Sequence, residues 1–127
     1  MKKMMVLIAL VALAGCKPGA DKAIDLVKKE VAADTRDPDS SKFRYVRFIQ
    51  SSEAQEEEVK GLVCGQVNAK NGFGAYAGFS SFLVEISMKP KGMFSSGVTY
   101  TISKKEIYTD LGLSKPLDYE KQCGPDE

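Results

Sequence analysis

Phe82-Leu83-Val84-Glu85-Ile86-Ser87-Met88 places Phe82, Val84, Ile86 and Met88 on one face of an extended chain and Leu83, Glu85 and Ser87 on the other. A period of two over seven residues marks a strand with one buried face, and Pro90 predicts its end because proline has no N–H to give a ladder. Val98, Tyr100 and Ile102 repeat the alternation, with Thr99 and Thr101 outward. Between these strands lies a loop from Lys89 to Gly97 with Met93 and Phe94 at its tip. Upstream, Phe43 to Ile49 is dense in aromatic and β-branched residues, and Val59 to Asn68 makes a further strand that carries Cys64. The polar stretch Gln50 to Glu58 between them, with the run Glu56-Glu57-Glu58, reads as a solvated loop. Asn71-Gly72 is a turn signal. Ser103-Lys104-Lys105-Glu106 has capping-box spacing and predicts a short helix running to Leu111.

The period changes nearer the amino terminus. Ala20, Ile24, Val27 and Val31 recur at threes and fours, which predicts an amphipathic helix from Ala20 to Ala33 that lays one stripe on the sheet. Asp21 suits its first turn, and Lys28 and Lys29 lie toward its end, as the helix dipole favours. Asp37-Pro38-Asp39-Ser40-Ser41 predicts a reversal, with one helical turn capped by Asp37 and opened by Pro38. The fold class expected is therefore α+β: a small, mostly antiparallel sheet of three to five strands with an N-terminal amphipathic helix packed on one face.

Met4 to Ala14 is an apolar run of about eleven residues behind Lys2 and Lys3, long enough for a signal h-region and too short to span a bilayer. It closes on Leu13-Ala14-Gly15-Cys16, which resembles the lipobox of bacterial lipoproteins. That resemblance implies diacylation of Cys16, cleavage before it and acylation of the new amino terminus, which gives a palmitate-type anchor. Lys17 stands where an aspartate would favour inner-membrane retention, so in a Gram-negative host the resemblance implies the outer membrane, facing the periplasm. The organisation expected is a signal peptide at 1–15, a lipidated cysteine and short tether at 16–19, and one domain at 20–127. At about 3.5 Å per residue the tether keeps the domain within roughly 10–15 Å of the lipid.

Without residues 1–15 the chain has 112 residues, a usual size for one domain, with 16 basic residues against 17 acidic ones. So balanced a composition offers no footprint for nucleic acid or for polybasic attraction to lipid. If Cys16 carries lipid, Cys64 and Cys123 remain as an even pair in a compartment that permits disulfides, and they are expected to be bonded. The bond would pin an otherwise loose tail, Gly112 to Glu127, onto the body.

Composition excludes most catalytic constellations. The chain has no histidine, which removes Ser-His and Cys-His nucleophile pairs and His-ligated zinc. Asp37-Pro38-Asp39 lacks the glycine and the bidentate glutamate of a calcium loop, with Lys42 and Phe48 in their places. Gly72 to Ala77 fits a loosened dinucleotide fingerprint, but a strand is expected to follow where such a site needs a helix. No cofactor, metal or small-molecule substrate is expected. A carboxylate hydrolase would need two acids such as Glu85 and Asp110 to converge in a cleft.

The remaining stretch of interest is Val63 to Phe79, with Cys64-Gly65-Gln66-Val67-Asn68-Ala69-Lys70-Asn71 at its centre. With Asp37-Pro38-Asp39-Ser40 and Lys42-Phe43-Arg44 it resembles a pattern in small secreted or prophage-associated bacterial proteins of unassigned function, over about residues 36–85. No catalytic residue comes with that resemblance. Lys70, Asn71, Phe73 and Tyr76 are the candidate partner-binding residues, since aromatics supply contact area at low entropic cost. The same residues also read as a tight loop whose glycines supply positive φ and whose asparagines satisfy the turn. The function expected is a non-enzymatic outer-membrane lipoprotein that binds another envelope protein. The alternative is an exclusion or immunity lipoprotein that blocks a receptor or toxin.

Overall fold

A computed structural model describes residues 18–52, 57–92, 97–109 and 112–127. The leader, Cys16 and the tip residues Met93 and Phe94 lie outside them. Helix α1, Ala20–Ala33, is followed by a one-turn 3-10 helix, Pro38–Ser40. Then come strands β1, Lys42–Gln50; β2, Val59–Asn68; β3, Ser80–Pro90; and β4, Val98–Ile107, with the short helix α2, Tyr119–Cys123, behind them. The strands form one antiparallel sheet in the order β1-β2-β3-β4. The fold is α+β, as the two periods in the sequence imply.

α1 closes one face of the sheet. Val27 and Val31 are buried against Val59, Val63, Val67, Phe82, Val84, Ile86 and Met88. At the head of the stripe Ala23 is buried while Ala20 is exposed, and Ile24 is only half buried. Asp37 takes the cap position of the 3-10 turn without a side-chain capping bond, and α1 has no basic residue in its last turn. Gly61 and Gly65 sit on the helix face of β2, where larger residues would collide. A Cβ at Gly65 would lie 3.0 Å from Val46 and 3.1 Å from the Phe82 ring.

Two irregularities change which residues share a face. In β1 the register shifts between Arg44 and Arg47, with Tyr45 at a φ of 57°. Arg44 opposes Gln66 and Arg47 opposes Cys64, so both arginines lie on the face away from α1, although strict alternation would separate them. In β4 the shift comes at Ser103, because Ile86 opposes Ile102 and Glu85 opposes Lys104.

The second irregularity corrects the helix expected from Ser103 to Leu111. β4 instead continues to Ile107, with Lys104, Lys105 and Glu106 opposite Glu85, Val84 and Leu83. The capping-box spacing is outweighed because β3 is eleven residues long. A helix at that point would strip its first half of ladder partners on one side. β3 itself also runs through Pro90, which opposes Val98.

The other face of the sheet is covered by the carboxyl-terminal segment. Cys64, Leu83, Tyr108, Tyr119 and Cys123 form a second buried cluster there, flanked by Ile49 and Leu62. The Cys64–Cys123 disulfide is present, with Cα atoms 5.9 Å apart across a 59-residue separation. The tail is therefore a second covering layer of the sheet, with a helix of its own.

Candidate functional site

Two arrangements use polar chemistry, and they lie on either side of the β1 bulge. The first centres on Asp126, whose side chain is only 7% exposed. One carboxylate oxygen accepts from Arg47 Nη1 at 2.7 Å and from the Tyr119 hydroxyl at 3.0 Å. The other accepts from the Ser81 hydroxyl at 2.6 Å and from Gln66 Nε2 at 3.0 Å. Arg47 also donates from Nε to the Cys123 carbonyl at 2.9 Å and from Nη2 to the Gly124 carbonyl at 2.8 Å. Three strands and the tail thus meet at one carboxylate.

Burial pushes the Asp126 carboxyl up, but hydrogen bonds from Ser81, Arg47, Tyr119 and Gln66 together hold it below the ordinary aspartate value. The same setting, burial first and the Asp126 bond second, raises the Tyr119 hydroxyl to about 12. Tyr108 is also raised, by burial and by its 2.6 Å bond to Glu106. Every buried side-chain N or O among the described residues has a partner. A carboxylate saturated by four donors is held ionised and has no lone pair directed at a substrate, so this network serves to clamp the tail.

The second arrangement is the loop from Ala69 to Phe79. Asn71 Oδ1 accepts from the Phe73 and Ala75 N–H groups at 2.9 and 3.2 Å, and Asn68 Oδ1 accepts from the Gly78 N–H at 3.0 Å. Gly74 and Gly78 have φ values of 78° and 103°, which glycine adopts without strain. Lys70 and Tyr76 form an isolated antiparallel bridge. The Tyr76 hydroxyl donates to the Ser40 carbonyl at 3.0 Å, and the Ser40 hydroxyl accepts from the Lys70 N–H at 2.8 Å. The loop is fastened to the Pro38–Ser40 turn at its base.

The structure thus gives the four candidate partner-binding residues different roles. Asn71 and Tyr76 hold the loop together. Phe73 projects from it, 98% exposed, and Lys70 lies exposed beside it. Cations gather around the aromatics: the Lys42 and Lys70 ammonium groups lie 4.5 and 5.9 Å from the Tyr76 ring centre, and the Arg44 guanidinium lies 3.7 Å from that of Phe79. Arg36 approaches the same loop, 3.8 Å from where a Gly72 side chain would begin. No ion pair among the described residues involves Arg36, Lys42, Arg44 or Lys70.

Elsewhere, the carboxylates are engaged with lysines and hydroxyls: Glu30 and Asp34 share the Lys105 ammonium at 3.8 and 2.9 Å, and Glu30 also accepts from the Tyr100 hydroxyl at 2.7 Å. Glu85 pairs with Lys60 at 3.7 Å, and Glu58 with Lys89 at 3.9 Å. Asp110 lies outside the described residues. No group of three or more metal-ligating side chains occurs among those described. Comparison with protein-family models, curated proteins and solved structures finds no match to this chain.

Sequence reasoning missed the Asp126 clamp. Its only trace was the placement of Asp126 three residues after a cysteine already expected to be bonded. It also missed that Lys70 of the loop joins Arg36, Lys42 and Arg44, which the β1–β2 register and the Lys70–Ser40 bond bring about.

Proposed function

We propose that the protein is a non-enzymatic lipoprotein of the outer membrane, anchored through Cys16 and facing the periplasm, that binds another envelope protein. The observation that supports this reading best is Phe73, a wholly exposed aromatic at the tip of a loop whose backbone is held by Asn71, Asn68 and Ser40. Exposing a phenylalanine on a pre-ordered loop forgoes about 2 kcal/mol of burial in the free protein. A partner pocket recovers it without an ordering cost. The cations around the loop add steering and orientation. The two layers over the sheet then have a mechanical role: they make the domain a rigid mount for that loop.

Crosslinking intact cells with an amine-reactive reagent, which can reach the exposed Lys70 and Lys42, tests the reading. One discrete envelope protein is expected in the adduct, and its capture should fall when Phe73 is replaced by alanine. Adducts that do not depend on Phe73 would contradict it.

A further inference from the structure

The direction of α1 decides which end of the sheet lies nearest Cys16. Glu30 accepts from the Tyr100 hydroxyl at 2.7 Å, and Asp34, one turn later, pairs with the Lys105 ammonium at 2.9 Å. Tyr100 opposes Met88 and Lys105 opposes Val84, so α1 runs in the same direction as β4. Its carboxyl end agrees, since the Thr35 and Ser41 hydroxyls lie 3.3 Å apart just before β1 begins. From Glu30 back to Ala20 the helix covers about 15 Å. That brings Ala20 level with the opposite end of the sheet, where β1 and β3 finish and β2 and β4 start.

Little slack separates this end from the cysteine. Pro18 is buried, and the Gly19 carbonyl already accepts the first bond of the helix, from the Ala23 N–H at 3.2 Å. One residue, Lys17, stands between Cys16 and Pro18, a reach of about 7 Å at most. The loop at 69–79 joins β2 to β3 at the other end of the sheet, beyond the start of β1. Between the two ends runs β3, whose eleven residues span about 35 Å.

Resting on the reading of the protein as a lipoprotein anchored through Cys16, we infer that the domain stands end-on upon the leaflet that holds its lipid. Gln50, Lys91 and Gly92 face the headgroups, and the loop carrying Phe73 faces away. The acyl chains supply the attachment, so the facing end needs no basic patch, and Glu57 and Glu58 stand there beside Lys89 and Lys91. Lying on α1 offers no gain, because the outer side of that helix exposes Asp21, Lys22, Asp25 and Lys29 and no large apolar residue. A tether of one residue cannot invert the domain to bring Phe73 to the lipid. Phe73 is thus held about 35 Å or more from the headgroups, where it meets a partner's water-exposed part.

Fluorescence quenching on the full-length, cell-matured protein in vesicles of phosphatidylethanolamine and phosphatidylglycerol tests this. Some of the lipids carry a headgroup nitroxide, which quenches only at close approach. With Cys16 lipidated and Cys64 bonded to Cys123, a single introduced cysteine is the only thiol to label, at Lys91→Cys, Lys29→Cys, Glu120→Cys or Phe73→Cys. The expected result is quenching at position 91 and its loss at the other three. Inserting about twenty Gly and Ser residues between Lys17 and Pro18, with a mean span of about 25 Å, should bring position 91 down to the level of the others. Equal quenching at position 29, 120 or 73, none at any position of a vesicle-bound lipidated chain, or indifference to the inserted linker would overturn the end-on posture and leave the anchor standing. A chain whose mass shows no lipid and which stays free of vesicles would remove the anchored reading itself.

Discussion

The Arg47 guanidinium and the Asp126 carboxylate meet at 2.7 Å across 79 positions of sequence. They do so because one extra residue in β1 turns Arg47 toward the tail side of the sheet. The pair ties an outer strand to the carboxyl-terminal segment and shares its oxygens with Gln66 of β2, Ser81 of β3 and Tyr119 of α2. Replacing Asp126 by alanine leaves the half-buried Arg47 and three further donors without their acceptor. The expected loss is about 3 kcal/mol, read as a lower urea midpoint. Asp126→Asn, which keeps the shape and one acceptor, should lose less than the alanine variant.

The same carboxylate predicts acid sensitivity. Its pKa in the folded protein lies below the ordinary value, which for an unfolded aspartate is about 3.9. Its contribution is therefore complete above about pH 4 and is lost as pH falls through the lower folded value. Tyr119 acts at the other extreme. With its hydroxyl raised to about 12, it contributes fully below the ordinary tyrosine value of about 10 and loses that contribution as pH rises toward 12. Urea midpoints across pH should be flat in between, and Asp126→Asn should flatten the acid limb.

Cys64–Cys123 holds the same segment covalently. Reduction, or a Cys64→Ser, Cys123→Ser double variant, should cost on the order of 4 kcal/mol for a loop of this length. Combined with Asp126→Ala the losses should fall short of their sum, because either change alone loosens the tail that the other secures. Full additivity in denaturant titrations would show that clamp and disulfide act on separate structures.

Gly61 offers a packing test on the opposite face. A Cβ there would press on the Ile49 carbonyl oxygen and sit 2.7 Å from the Phe48 ring. Gly61→Ala should destabilise by about 1–3 kcal/mol through overpacking, despite alanine's lower cost in a strand.

The loop separates mounting from contact. Phe73→Ala touches nothing buried and should leave the thermal midpoint unchanged, within about 0.5 kcal/mol. Asn71→Ala removes the acceptor for two N–H groups and should cost about 1 kcal/mol, loosening the loop as seen by hydrogen exchange.

The elements that keep a single period were legible from the residues. α1 has the bounds that its threes and fours implied, β2 and the core of β3 fall where alternation put them, and Cys64 bonds Cys123. What escaped follows from changes of register. Nothing in Arg44-Tyr45-Val46-Arg47 signals an extra residue, yet that residue aligns the two arginines on one face and makes the Asp126 clamp geometrically available. Ser103-Lys104-Lys105-Glu106 satisfied a local helix rule, and only the length of β3, its partner, overrode it. Of the candidate site, the Asn71 turn and the aromatics were visible as types. That Tyr76 turns inward to Ser40 while Phe73 projects depended on the loop's own hydrogen bonds.

The envelope location and the partner-binding proposal both presuppose a lipid at Cys16. Metabolic labelling with palmitate, comparing the natural chain with Cys16→Ala, tests that most directly. The natural chain is expected to carry label and to fractionate with membranes, and the variant to be unlabelled and soluble. An unlabelled natural chain whose fractionation matches that of the variant would contradict it.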